Sequence, residues 1–283
     1  MILQSLFSSL SDFARYASGA DMSLPLPSLE SSAVPAKKQV CNIISPGVYD
    51  LVIASDGQIK EAVRQAVANL TLFFDVPFYV QRKRTAGIEV YKNEAEGMKR
   101  SYIDTYYSAM DTILLLLDSS SGDISEAWQQ APYCAIRDKV RIKTVEEFNL
   151  VYHIDNSYLF FFRTLPIQLE LLDNMFFSYY DRLGQRADLL PRLDRALVMF
   201  IIATAIRRFD PIELPATIRN LFSDTTASRS GDKEQSRLLQ LADELSSEAM
   251  SAVSLIDASL SESSNVADPN IDRHPDDKFY FMP

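Results

Sequence analysis

The chain has 283 residues of which 47% are hydrophobic, enough material to bury a sizeable core in one or two domains. Its net charge of −10 is concentrated late, with 12 acidic against 5 basic residues from Ser223 to Pro283, and this opposes a dedicated nucleic-acid reader, which needs clustered basic residues. No run reaches the roughly eighteen uncharged apolar residues of a membrane span, the N-terminus lacks a basic leader, and the two cysteines, Cys41 and Cys134, fit no metal or redox spacing, which together predict cytoplasmic synthesis with reduced thiols.

Ile2, Leu3, Leu6, Phe7, Leu10, Phe13 and Ala17 recur at helical spacing and predict a short amphipathic helix. The Pro/Ser-rich stretch 23–35 follows as an extended spacer, so residues 1–39 read as an N-terminal arm. Residues 40–54 hold two β-branched runs around Ser45-Pro46-Gly47, the pattern of a β-hairpin. Ile59, Val63, Ala66, Val67, Leu70, Phe73 and Phe74 keep helical spacing up to Pro77. A second hairpin is expected over 78–91, with Gly87 near its turn. The stripe Met98, Tyr102, Tyr106, Met110, Ile113, Leu114 and Leu117 predicts a long helix over about 94–118, followed by a loop carrying Trp128.

Thr144 and Glu147 have capping-box spacing for a short helix through Phe148. Asn156 can cap the next segment, which Pro166 is expected to divide, with Thr164 as a second cap and Gly184 as the stop. Tyr158, Phe160, Phe161 and Phe162 cannot all face one core on a single helix, so part of that turn is expected to lie under an arm or a neighbouring subunit. Residues 188–209 read as a core helix ended by Pro211, closing a helical core domain of 40–222. From 223 to 283 run a long acidic helix, with Leu238, Leu241, Leu245, Ala249, Val253, Ile256 and Leu260 on a narrow stripe, and a C-terminal arm ending in Phe279, Tyr280, Phe281, Met282 and Pro283. The fold class expected is mainly α: a helical bundle with one or two small β-hairpins and extended arms at both ends.

The search for chemistry is unproductive. His153 sits in an apolar stretch and reads as a structural histidine, while His274 reads as part of a solvated linker. The eight glycines form no phosphate-binding loop, and no nucleophile elbow or zinc-protease motif is present. Arg82-Lys83-Arg84 reads as a solvated turn, and Glu146 and Glu147 as the acidic start of a helix. The 16 Phe and 13 Tyr residues lack basic partners for base stacking and serve core or interface packing. No enzyme, cofactor or metal is expected. The candidate functional residues are partner-binding ones: Leu3, Leu6, Phe7, Leu10 and Phe13 at one end, and Phe279, Tyr280, Phe281 and Met282 at the other.

The order of a helix, a Pro77-Phe78 hairpin with Gly87-Ile88, a polar helix into Leu114–Leu117, Trp128, Thr144-Val145-Glu146-Glu147-Phe148, Ile154-Asp155-Asn156-Ser157 and Leu165-Pro166 resembles an uncharacterised virion-protein family of tailed phages and prophages of Bacteroidetes. The resemblance covers residues 55–185 and carries no catalytic motif. Its members look like head–tail connector, or adaptor, proteins. The resemblance therefore implies a structural virion subunit in a ring of copies of itself, commonly twelvefold, docked beneath the portal protein and against neck or tail proteins. DNA would then be a non-specific passenger through a channel, and no membrane is involved; if part of the chain's excess negative charge lines that channel, it would repel the DNA backbone and let the genome slide through. Another neck, tail-completion or baseplate layer, or a non-viral interaction module, is the alternative reading.

Overall fold

Neither segment expected as a β-hairpin forms one in the computed structural model, which describes residues 1–184, 186–219 and 231–264; no strand occurs among the described residues. In the first, helix α3 (Glu30–Ile44) meets helix α4 (Pro46–Ala54) at a corner where Ser45 takes φ 74° and its hydroxyl accepts the Val48 N–H at 3.4 Å. Ser-Pro-Gly is thus an N-cap followed by Pro at N1, and no strand turn. Val40, Ile43, Ile44, Val48 and Val52 are all buried, and that burial outweighs their preference for strands.

In the second, helix α5 (Gln58–Thr85) runs straight through Pro77. Gly87, at φ 76°, ends it as the left-handed C′ residue of a Schellman motif: Ile88 N–H donates to Lys83 O at 2.9 Å and Gly87 N–H to Arg84 O at 3.0 Å. The Tyr91 N–H donates to the Glu94 carboxylate and opens helix α6 (Lys92–Asp118), so the predicted β-hairpin is the tip of a helical hairpin. Its two helices are about 42 and 40 Å long at 1.5 Å per residue.

The N-terminal segment is part of the core. Helices α1 (Ile2–Leu6) and α2 (Leu10–Ala14) bury Leu3, Leu6, Phe7, Phe13 and Ala17, with Leu10 half-buried. The Ile2 and Leu3 N–H groups donate to the Glu30 carboxylate, and Asn69 Nδ2 donates to Tyr16 O at 2.8 Å. Arg64 pairs with Asp12 at 2.6 Å while lying over the Phe7 and Tyr16 rings. The expected spacer is a 3₁₀ turn at Leu26–Leu29 leading directly into α3, which crosses the boundary expected at residue 39 and tolerates Pro35. An extended N-terminal arm is therefore replaced by a packed one, because its apolar stripe finds α3 and α5 in its own chain.

After α6 come three short helices, α7 (Asp123–Gln129), α8 (Pro132–Arg137) and α9 (Val145–Val151), the last with the expected Thr144–Glu147 capping box. Helix α10 (Tyr158–Leu171) lies at the centre, against α6, α8, α9 and helix α12 (Leu190–Arg208). Neighbours on every side let Phe160, Phe161 and Phe162 all be buried within this one chain, so no second chain is needed to cover them. Phe162 packs on Trp128 at 5.4 Å, and Phe148 meets Phe160 and Phe161 edge-on. Pro166 does not divide α10, and Thr164 is a buried residue whose hydroxyl donates to Phe161 O. The interruption falls later, in a π turn at Leu172–Phe176 before helix α11 (Phe177–Leu183).

A 3₁₀ turn at Pro211–Glu213 and helix α13 (Ala216–Arg219) follow α12. Helix α14 (Gly231–Ser264) buries Leu238, Ala242, Leu245, Ala249, Val253 and Ile256 against α12 and α11 of the same chain. Its narrow stripe thus finds its neighbour inside the same chain, supported by the ion pairs Arg207–Asp243 at 2.7 Å and Arg182–Asp257 at 2.8 Å.

Candidate functional site

The partner-binding residues expected at the N-terminus are already in use: Leu3 and Phe13 are fully buried in the chain's own core, and Leu6 and Phe7 nearly so. Phe279, Tyr280, Phe281 and Met282, together with His274, lie outside the described residues. His153 is two-thirds exposed and pairs with Asp155 at 3.1 Å, so it is a surface residue where a structural core histidine was expected.

Two surfaces that the sequence did not single out emerge instead. The first is the tip of the α5–α6 hairpin. Phe78, Ile88 and Tyr91, at 51%, 53% and 58% exposure, stand out there in water, where large apolar side chains cost hydration free energy.

The second is a groove of about 540 Å³ between α6, the start of α10 and the 213–219 segment. Leu115, Tyr107, Phe160 and Pro215 supply apolar walls, and four carboxylates, Asp104, Asp111, Asp155 and Glu213, share it with one guanidinium, Arg219. Arg219 pairs with Asp104 at 3.3 Å, and Arg163 reaches Glu213 at 3.0 Å from α10. The volume lies in the range of ligand pockets, and the lining is acidic.

Asp111 organises the groove floor. Its carboxylate accepts the Leu159 N–H at 2.7 Å and the Ser157 hydroxyl at 3.2 Å, tying the first turn of α10 to α6. Ser157, one residue after the expected cap Asn156, is the actual N-cap and accepts the Phe160 N–H. The loop before it is held in the left-handed region at Asp155 (φ 55°) and Asn156 (φ 50°), with Asn149 Oδ1 accepting from the Ile154 and Asn156 N–H groups. All of these side chains are engaged in fixing backbone. The Ser157 hydroxyl donates to the Asp111 carboxylate and accepts the Phe160 N–H, so it joins the α10 cap to α6.

Burial pushes the Asp111 carboxyl up to about 6, against the opposing pull of its hydrogen bonds from Leu159, Ser157 and Tyr158. The folded value exceeds the ordinary 3.8, so the native state holds this proton more tightly than the unfolded chain does. This group therefore adds stability as pH falls from about 7 through 6 toward 4, and it costs roughly 3 kcal/mol once fully ionised at neutral pH. Asp111→Asn, which keeps an acceptor without the charge, is expected to flatten the stability–pH curve in that window and hold or raise the melting temperature at pH 7. Asp111→Ala leaves the α10 N–H groups without their acceptor and is expected to lose about 1–3 kcal/mol relative to Asp111→Asn. Thermal melts of the three proteins between pH 4 and 8 read both effects.

No described helix is long and apolar enough to cross a membrane, and no group of three or more His, Cys, Asp or Glu among the described residues could hold a metal ion. No family model matches the chain, and no curated protein or solved structure is similar to it.

Proposed function

We propose that this chain is a structural, non-catalytic assembly subunit of a tailed-phage virion, in the form of a head-to-tail connector, or adaptor, ring protein that docks beneath the portal. The observation that carries the reading is the apolar tip of the α5–α6 hairpin. Its exposed Phe78, Ile88 and Tyr91 are the kind of residues a protein contact buries, and they project from a rigid pair of helices about 40 Å long. The segment order over 55–185 that resembles the connector family supports the same reading, with the helical hairpin standing where a β-hairpin was expected. A layer of copies around a channel would repeat one modest contact many times, so no single interface has to be strong.

Coexpression with the portal of the same particle, followed by electron cryomicroscopy, tests the proposal. A ring of this chain under the portal is expected; a chain that stays monomeric with portal present overturns it. Deleting residues 279–283 is expected to leave the melting temperature unchanged while reducing the fraction of chain that co-sediments with portal, because the apolar end serves assembly in this reading.

A further inference from the structure

The groove floor hangs on one carboxylate. Asp111 projects from α6 beneath the first turn of α10, and among the described residues no cation pairs with it. The charged groups around it are engaged with one another: Arg219 with Asp104, Arg163 with Glu213, and His153 with Asp155. Of the acids near Tyr158, Glu146 accepts the Tyr158 hydroxyl, and Asp118 pairs with Arg137 and accepts the Trp128 indole N–H. Tyr107 and Tyr158 are neutral around pH 7, because burial pushes both hydroxyls up. Asp111 is thus held at this junction by hydrogen bonds alone.

The segment it holds is built to come loose by itself. Asp155 and Asn156, both exposed, sit in succession in the left-handed region, a conformation that costs free energy in residues other than glycine. Buried Ile154 and Phe160 anchor the chain on either side. We propose that Asp111 is a proton-operated clasp: protonated, it holds residues 155–159 against α6, and ionised, it lets that short segment open locally, so the groove has a closed form in acid and a loosened form at neutral pH. The device is a property of the single chain and does not depend on ring formation. Its sign follows from burial, which outweighs the hydrogen bonds and puts the closed-state carboxyl at about 6 against 3.8 in water. The proton's hold on the closed form is complete below about pH 4 and lost as pH rises through about 6, so the opening constant rises about tenfold between pH 5 and 7.5.

Amide hydrogen exchange of the full chain, followed by NMR and corrected for the intrinsic pH dependence of exchange, tests this between about pH 5 and 7.5 in dilute urea. The reporters are the Leu159 N–H, bonded to Asp111, and the Phe160 N–H, bonded to the Ser157 hydroxyl. Both are expected to open more often than the Ile201 amide in the buried part of α12, with little urea dependence because little surface is exposed, and about tenfold more often at the upper pH. Asp111→Asn, which keeps an acceptor, is expected to abolish the rise. His153→Gln, at an exposed position, is expected to keep it. Near-unchanged melting temperatures verify that both variants are folded. If the two amides open only together with Ile201 and with the same urea slope, the segment is no independent unit and the clasp is overturned. A local opening that does not change with pH, a rise that survives Asp111→Asn, or a rise lost in His153→Gln overturns it as well.

Discussion

Phe13→Ala lowers the unfolding free energy by about 3–5 kcal/mol and the melting temperature by roughly 10 °C. The ring is fully buried and meets Phe7 edge-on at 5.1 Å, between α2 and the body of the bundle. Its loss removes apolar burial and opens a cavity that α3 and α5 cannot close, because Arg64, Asp12 and Asn69 pin the surrounding backbone. If residues 1–17 were a free assembly arm, the same substitution would leave stability within about 0.5 kcal/mol and act on association alone. Urea unfolding of the purified chain separates the two outcomes.

Gln168→Leu is the second large effect. Gln168 is fully buried in α10, where its Oε1 accepts the Ile142 N–H at 2.7 Å and its Nε2 donates to Ile142 O at 3.1 Å. One side chain therefore satisfies both polar groups of a residue in the irregular 138–144 segment, which has no helix of its own to do so. Leucine preserves volume and leaves a donor and an acceptor orphaned, at about 1–3 kcal/mol each. A total loss near 2–6 kcal/mol is expected, with faster hydrogen exchange at the Ile142 amide. A loss under 1 kcal/mol would show that water reaches this segment and that Gln168 is dispensable.

The helices that were legible in the sequence are those whose pattern is long and whose caps are local. The Thr144–Glu147 box carries its own boundary chemistry and appears as expected, and the 59–74 and Leu238–Ile256 stripes are helical as expected, with the first helix continuing past its expected end at Pro77 to Thr85. The failures share a cause. Val40 to Val52 and Phe78 to Tyr91 have the composition of strands, and only tertiary neighbours decide that those β-branched and aromatic residues serve a helix. Gly87 illustrates the ambiguity, since a glycine with positive φ suits a hairpin turn and a Schellman cap equally well. The groove was invisible for a different reason. Asp104 to Leu115, Asp155 to Phe160 and Glu213 to Arg219 are separate segments, unremarkable alone, that only the fold brings together.

The succession of packing partners has a consequence for how the chain folds. Helix α3 packs on α5, α5 on α6, α6 on α10, α10 on α12, and α12 on α14, so each new long helix settles against one that has already left the ribosome. Loop closures stay short in sequence, which lowers the entropic barrier and favours vectorial, cotranslational folding. The exception is α12, nearly all of whose apolar residues are buried in the finished chain: until α14 emerges, its outer face is bare. Over that interval the nascent chain exposes an apolar helix face, which favours aggregation.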